Sequence, residues 1–424
     1  MNTISLRDIA VSCLLLLSFP TFAAQEINLS QALNIAKEQD LQAQAITNQA
    51  DEMRSSAIKA GTLPDPSISL GLNNMPTDSF DFNQENMTQL QVGLTQNFAP
   101  GSSLKYKKDS IQARAQSIDG QYILRAEQRK LAVEQLWIKL SANKASQKKT
   151  KELIQTLKKS HQSVLADYQS GKTNQSTLLT VENNISLTNN QLLSLQSEYK
   201  TLLGQLSRWI GQFAFEPLNL SFPDWQLPKA ISGDWKSYSE YFKSHPEAKI
   251  QAELINSRQF DIQTAKEEYM PKWGIKAGYG YRADSPDGMD RSDFLSVGVT
   301  VSVPIHMATN QDQGLNAANS AYKAQEYRYQ DTIRSLVGRY QSAYHQAKIN
   351  QKILMQYQEV LVPNAKKMVS LSVDNYYAAT ASFNQLILSQ QQLLKTELQQ
   401  IKAKSNYCQS LVQLNYFSAK EYSL

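Results

Sequence analysis

The chain has almost no cysteine. Of its 424 residues two are cysteine, Cys13 and Cys408, and Cys13 lies in an N-terminal apolar run expected to be removed. A single remaining thiol makes no disulfide within the mature chain, so the fold does not rest on covalent staples even in an oxidising compartment. Histidine is as sparse. His161, His245, His306 and His345 are scattered without the spacing of a metal site. There is no phosphate loop, no GxSxG elbow and no paired-carboxylate signature. No catalytic residue, resident metal or cofactor is assigned. Charge of one sign is lacking too: 43 Lys and Arg against 38 Asp and Glu leave a formal +5, with no basic stripe of the kind nucleic acid demands. Past the N-terminus no apolar stretch approaches the ~20 residues of a membrane-spanning helix, and mean hydropathy is −0.45. Any membrane insertion must therefore be by β-strands.

What is present begins at the N-terminus. Arg7 precedes an apolar run over 9–19, then Pro20 and the small-residue site Thr21-Phe22-Ala23-Ala24. This is a secretory signal layout over residues 1–24, with cleavage after Ala23 or Ala24. Cys13 sits inside the apolar run, not after it, which argues against lipidation.

The remainder is a duplication. Pro64 and Pro271 lie 207 residues apart in similar settings. Gly93 in QVGLT and Gly298 in SVGVT lie 205 apart, and Tyr168 and Tyr376 lie 208 apart. Each tyrosine is followed ten residues on by a pair, Leu178-Leu179 and Leu386-Ile387. Three local patterns recurring in one order divide the chain into a first repeat (25–210), a connector (211–237) and a second repeat (238–424). Each repeat reads helix, strand, loop, strand, long helix, second helix. The connector carries Pro217, Pro223, Pro228, Trp225 and Trp235. Its aromatics are expected to need burial.

The strands announce themselves by alternation. They are expected at about 66–74, 88–98, 272–282 and 294–303. Ile68, Leu70 and Leu72 share one face, as do Leu90, Val92, Leu94 and Phe98. The third strand shows Trp273, Ile275, Ala277, Tyr279 and Tyr281, and the fourth Leu295, Val297, Val299, Val301 and Val303. Each strand is long enough to cross a bilayer when tilted, and within a repeat the two form a hairpin. Four strands do not close a barrel, because the smallest membrane barrels use about eight. A spanning reading therefore requires more than one copy.

Residues 102–169 contain no proline and one internal glycine, Gly120. Good helix formers dominate, so a continuous helix about 100 Å long is expected. The second repeat offers a similar stretch over 311–376, with Pro363 expected to kink or break it. After the first long helix, Leu178, Ile185, Leu192, Tyr199 and Leu206 recur every seven residues. Val181, Leu195, Leu202 and Trp209 follow three places later, with Thr188 the polar exception. This is a knobs-into-holes seam. Cys408 falls on its counterpart one heptad past Ile401, a packing position. Lys144, Lys148, Lys149, Lys151, Lys158 and Lys159 read as a solvated face. His306-Met307 and the loop methionines Met75, Met87 and Met289 are too few to make a metal site.

The tandem repeat, the two hairpins, the long helices and the Tyr168-x-x-Gly171 turn ahead of Leu178-Leu179 together resemble the TolC-like outer-membrane efflux family over essentially the whole mature length. That resemblance implies a mainly α fold with membrane β. A homotrimer would form a twelve-strand outer-membrane barrel continuous with a long periplasmic α-helical barrel. It also implies passive export, with docking onto a periplasmic adaptor (membrane fusion) protein and an inner-membrane pump. Residues 63–76, with Phe80, Met87 and Gln96, resemble the heavy-metal (CusC/CzcC-like) branch that serves RND-type cation pumps. The family's tunnel tip maps onto Tyr168, Gly171, Leu178 and Leu179, and onto Tyr376, Ala379, Leu386 and Ile387. Gly171 suits a turn needing positive φ, and Ala379 departs from it. The tunnel entrance falls at Asp167, Asp374, Thr177 and Gln385. Where some members carry aspartate rings, this chain has Thr177, Thr180, Gln385 and Leu388, so a carboxylate gate is not expected there. Asp167 and Asp374, just before the tip tyrosines, are expected to lend a weak cation preference. Two readings stand beside a metal duct: a duct for drugs or secreted proteins, and a soluble periplasmic coiled-coil scaffold.

Overall fold

The computed structural model describes residues 26–231, 233–378 and 380–417. The expected signal peptide and Ala379 lie outside the described residues. The first repeat runs α1 (Leu29–Glu38), α2 (Leu41–Ala60), β1 (Ser67–Asn73), β2 (Gln89–Phe98), α3 (Ser103–Gln169) and α4 (Gln175–Ile210). The second runs α5 (Trp235–Phe242), α6 (Pro246–Glu267), β3 (Lys272–Tyr281), β4 (Phe294–Ser302), α7 (Gln311–Gln356), α8 (Val362–Tyr377) and α9 (Phe383–Phe417). Between the repeats lie a 3-10 turn at Gly211–Phe215 and an extended run.

α3 is one helix of 67 residues, about 100 Å at 1.5 Å per residue. Its counterpart is not broken at Pro363. A π turn at Tyr357–Leu361 joins α7 to α8, and the flanking backbone stays in the right-handed helical region. Proline lacks the N–H that would bond four residues back, and the widened turn just before it takes up that irregularity.

The helices bury seams, not a globular centre. Around the middle of the molecule Val133, Trp137 and Leu140 of α3 meet Leu202, Leu206 and Ile210 of α4 and Ala32 and Ala36 of α1. Leu336, Val337 and Tyr340 of α7 meet Leu411 and Leu414 of α9, with Phe242 of α5. Cys408 packs on Ile138 and Val412. Burial pushes its thiol up to about 11, which leaves it inert. Thr188, the polar residue in the α4 seam, is buried and bonds back to the Asn184 carbonyl at 2.7 Å. The connector adds a short parallel bridge, Ile27 to Leu218, and lays Phe222 and Trp225 partly onto the core. Trp235 is 54% exposed, so burial reaches one connector tryptophan and not the other.

Each repeat has a hub at the start of its second helix. Asp40 caps α2 through the Ala43 N–H and takes Arg125 and Arg129 of α3, both at 2.9 Å. Burial would raise this carboxyl, but the hydrogen bonds from Arg125, Arg129 and the Ala43 backbone hold it below its ordinary value. In the second repeat the position is His245, buried and capping α6 with Pro246 in the first turn. Its Nδ1 accepts from the Glu247 N–H at 3.3 Å, and its Nε2 faces the Tyr416 carbonyl at 3.3 Å. That pattern suits a neutral ring protonated on Nε2, and burial lowers its pKa. Glu247 is held by Arg339 at 2.5 Å and the Tyr416 hydroxyl at 2.7 Å.

Candidate functional site: the sheet faces and the helical tip

The two hairpins are not separate. β2 pairs with β3, so the strands form one antiparallel sheet in the order β1-β2-β3-β4. The register aligns one residue type per row. Leu70, Val92, Tyr279 and Leu295 stand side by side, and Ile68, Leu94, Ala277 and Val297 form the next row. The result is one continuous apolar face on which Ile68, Leu295 and Val297 are more than 70% exposed. No water-soluble surface has reason to present such a patch. The face fits lipid, and the stacked pair Phe98–Trp273, centroids 4.2 Å apart, sits at its periplasmic end.

The opposite face is small and polar: Ser69, Gln91, Thr95, Asn97, Ser296 and Thr300, with the glycines of β3. Here the two hairpins fit each other. A Cβ on Gly274 would stand 2.8 Å from Asn97 Oδ1, and one on Gly278 would stand 2.9 Å from Gln91 Nε2. The amides of β2 therefore lie flat across the bare backbone of β3. The loops above are strapped together as well. Arg282 donates to the Asn86 carbonyl at 3.0 Å and Arg291 to the Asn83 carbonyl at 3.0 Å. β1 and β4 are the sheet's outer strands, and each leaves one edge unpaired within the chain.

At the far end the helices turn back. Gly171 has φ of 74°. The Lys172 N–H bonds to the Asp167 carbonyl at 2.8 Å and the Gly171 N–H to the Tyr168 carbonyl at 3.0 Å, the pattern of a Schellman stop. Asn174 then caps α4 by accepting from the Thr177 N–H at 3.0 Å. In the second turn the Thr380 N–H bonds to the Asn375 carbonyl at 2.9 Å. Ser382 and Gln385 form a capping box for α9, at 3.4 Å and 3.3 Å.

The tip residues divide by exposure. Leu386 and Ile387 are buried with Leu153, Leu157, Val164 and Val181, and Leu178 and Tyr376 pack against them. Tyr168 and Leu179 face outward, 41% and 54% exposed. So do Tyr377 and Leu388, which sequence reasoning did not place at the surface. The Tyr376 hydroxyl reaches Asp167 Oδ2 at 3.4 Å, linking the two helical hairpins. Asp374 and Gln385 are exposed, and Asp167 and Thr177 are half-buried. Among the neighbouring lysines, Lys144, Lys148, Lys151, Lys158 and Lys159 face solvent. Lys149 instead bridges Glu152 at 3.0 Å and Glu397 of α9 at 3.2 Å.

A sheet with a lipid-facing side and a polar side, above helices this long, defines the class: an outer-membrane channel subunit that extends into the periplasm. Comparison with known proteins agrees. Residues 240–417, within the second repeat, match the family model described as outer membrane efflux protein. No curated protein matches the chain. Among solved structures it is similar to the outer membrane protein VceC from Vibrio cholerae, with TM-score 0.75 and 12% identity over 92% of this chain and 95% of that one. CusC matches with TM-score 0.73 and 13% identity, over 92% and 91% of the two chains. The CmeC outer membrane channel of Campylobacter jejuni matches with TM-score 0.74 and 13% identity, over 92% and 85% of the two chains.

Proposed function

We propose that three copies of this chain close one barrel and form the passive outer-membrane duct of a tripartite efflux system. The duct docks onto a periplasmic adaptor protein and an inner-membrane RND pump, and heavy-metal cations are its cargo. The observation that carries the assembly is the open sheet. Each unpaired backbone group left in hydrocarbon costs several kcal/mol, and both outer strands have such an edge. Pairing β4 of one copy with β1 of the next removes all edges at once.

The tip supports the docking part. Tyr168 and Leu179 offer apolar side chains beside a turn fixed by Gly171, while Leu178, Tyr376, Leu386 and Ile387 hold that turn from inside. Ala379 belongs to the second turn by sequence. Asp167 and Asp374, with Thr177 and Gln385 on the adjoining caps, frame the entrance and lend a weak cation preference. The cargo reading rests on the likeness of residues 63–76 to the metal branch. A drug-type pump or an ABC secretion exporter encoded beside the gene would replace it.

The test is to extract outer membranes with detergent, weigh the particle and record its conductance. A trimer whose cation-to-anion permeability ratio falls in the Asp167→Asn, Asp374→Asn double variant is the expected result. A water-soluble monomer would overturn the duct and favour a periplasmic coiled-coil scaffold.

A further inference from the structure

The four strands carry two charged residues, Lys272 and Lys276, both on the polar face of β3. Lys272, the first residue of its strand, is neutralised by Glu268 at 2.9 Å. Lys276 lies further into the sheet. Its cross-strand partners are Thr95 and Gly298, and it forms no ion pair with any described residue. It is exposed.

The surroundings of Lys276 are low. Gly274 and Gly278 stand two residues either side of it on the same face, and Asn97 and Gln91 lie flat over them. A Cβ on Gly298 would meet nothing within 4 Å. A lysine in this setting rises above a wall of glycine and flattened amides, with no carboxylate beside it. Its ammonium has one direction in which to find water, and that is away from the wall. The opposite face of the sheet is the apolar one, so this direction is the interior of the barrel.

We infer that Lys276 is a selectivity-determining residue of the barrel, and that its three copies form a positive ring in the lumen which favours anions over cations. This inference rests on the trimeric duct proposed above. Like charges in a narrow conduit with low-dielectric walls focus their field and raise the local concentration of the opposite ion. The barrel would then carry the opposite sign to Asp167 and Asp374 at the other end of the molecule. A metal cation leaving through it would meet the least resistance as a neutral or negatively charged complex.

The test is a reversal-potential measurement on purified full-length protein in planar bilayers, under a KCl gradient. Wild type is compared with Lys276→Gln, Lys276→Glu and Lys276→Arg, each checked for trimer mass. The expected result is a cation-to-anion permeability ratio that rises in the Gln variant, roughly tenfold at about 0.1 M salt. It rises further in Glu and stays at the wild-type value in Arg. The differences should shrink at about 1 M, where screening shortens to about 3 Å. Conducting trimers of all four proteins with the same ratio would overturn the role of Lys276 and leave the duct standing. Wild-type protein that forms neither trimer nor pore would remove the duct, and the ring with it.

Discussion

The two repeats share one plan and differ where each must solve the same problem. At the start of the second helix the first repeat uses a charged hub, Asp40 between Arg125 and Arg129. The second uses a neutral imidazole, His245, with the ion pair moved two residues on to Glu247 and Arg339. In the sheet the first repeat supplies amides and the second supplies glycines to receive them. In the long helices α3 runs unbroken while α7 and α8 are joined by a π turn. A duplicated chain is thus free to diverge at each position, provided the two copies stay complementary where they touch.

The sharpest way to break this comparison is to remove the charged hub. Asp40→Ala leaves Arg125 and Arg129 facing each other in a buried site. Losing one partner of such a pair costs about 3–5 kcal/mol. Denaturant unfolding of the detergent-solubilised protein is expected to show that loss, and Asp40→Asn, which keeps the cap, is expected to lose less.

The complementarity in the sheet predicts a smaller effect with a specific rescue. Gly278→Val places a side chain where the Gln91 amide lies, and overpacking of this kind costs about 1–3 kcal/mol. Adding Gln91→Ala vacates the space and should restore the yield of heat-resistant assembly. Gly298→Val, with open space around it, should be tolerated alone. Equal damage at both glycines, or no rescue, would mean that the amides do not occupy the positions described.

The smallest effect separates the hubs by pH. The pKa of His245 is lowered from 6.5 by burial, with the Glu247 carboxylate and the Tyr416 carbonyl opposing and Arg339 adding to the shift. Its unfolded form therefore takes up a proton before its folded form does. Stability from this site is complete above about 6.5 and declines as pH falls toward the folded value. Asp40, also lowered, keeps its contribution until pH drops below its ordinary 3.8. Between pH 7 and 5, backbone amides of α6 should lose protection relative to their intrinsic exchange rates while those of α2 keep theirs. His245→Asn, which retains a capping side chain, should flatten the α6 response.

Much of the architecture was legible in the sequence because it rests on periodicities. Alternation placed the strands, since Ile68, Leu70 and Leu72 have no other reason to avoid the intervening positions. The proline-free run 102–169 gave α3, because nothing in it stops a helix. Pairing between β2 and β3 was not legible. It joins residues 175 or more apart, and no local signal reports a long-range register; the hint available was the glycine spacing of 274, 278 and 280, which the side chains of Asn97, Gln91 and Gln89 approach. Pro363 was read as a kink or a break because propensity registers the missing N–H and not the π turn that absorbs it. At the tip, sequence located the turns but not their inside and outside. Leu178 and Leu179 are adjacent and look alike, yet one packs on the core and its neighbour faces water. Gln385 and Thr177 read as pore positions, whereas each also serves a helix cap.

The unpaired outer strands have a consequence for the cell's supply of the protein. A lone chain is too greasy on one side for the periplasm and too unsatisfied at its margins for lipid. If three copies close the barrel as proposed, completed ducts fall off as the cube of the available chains when chains are scarce. A modest drop in synthesis would then remove most of the ducts, and a defective copy expressed beside the normal one would spoil nearly every assembly it entered.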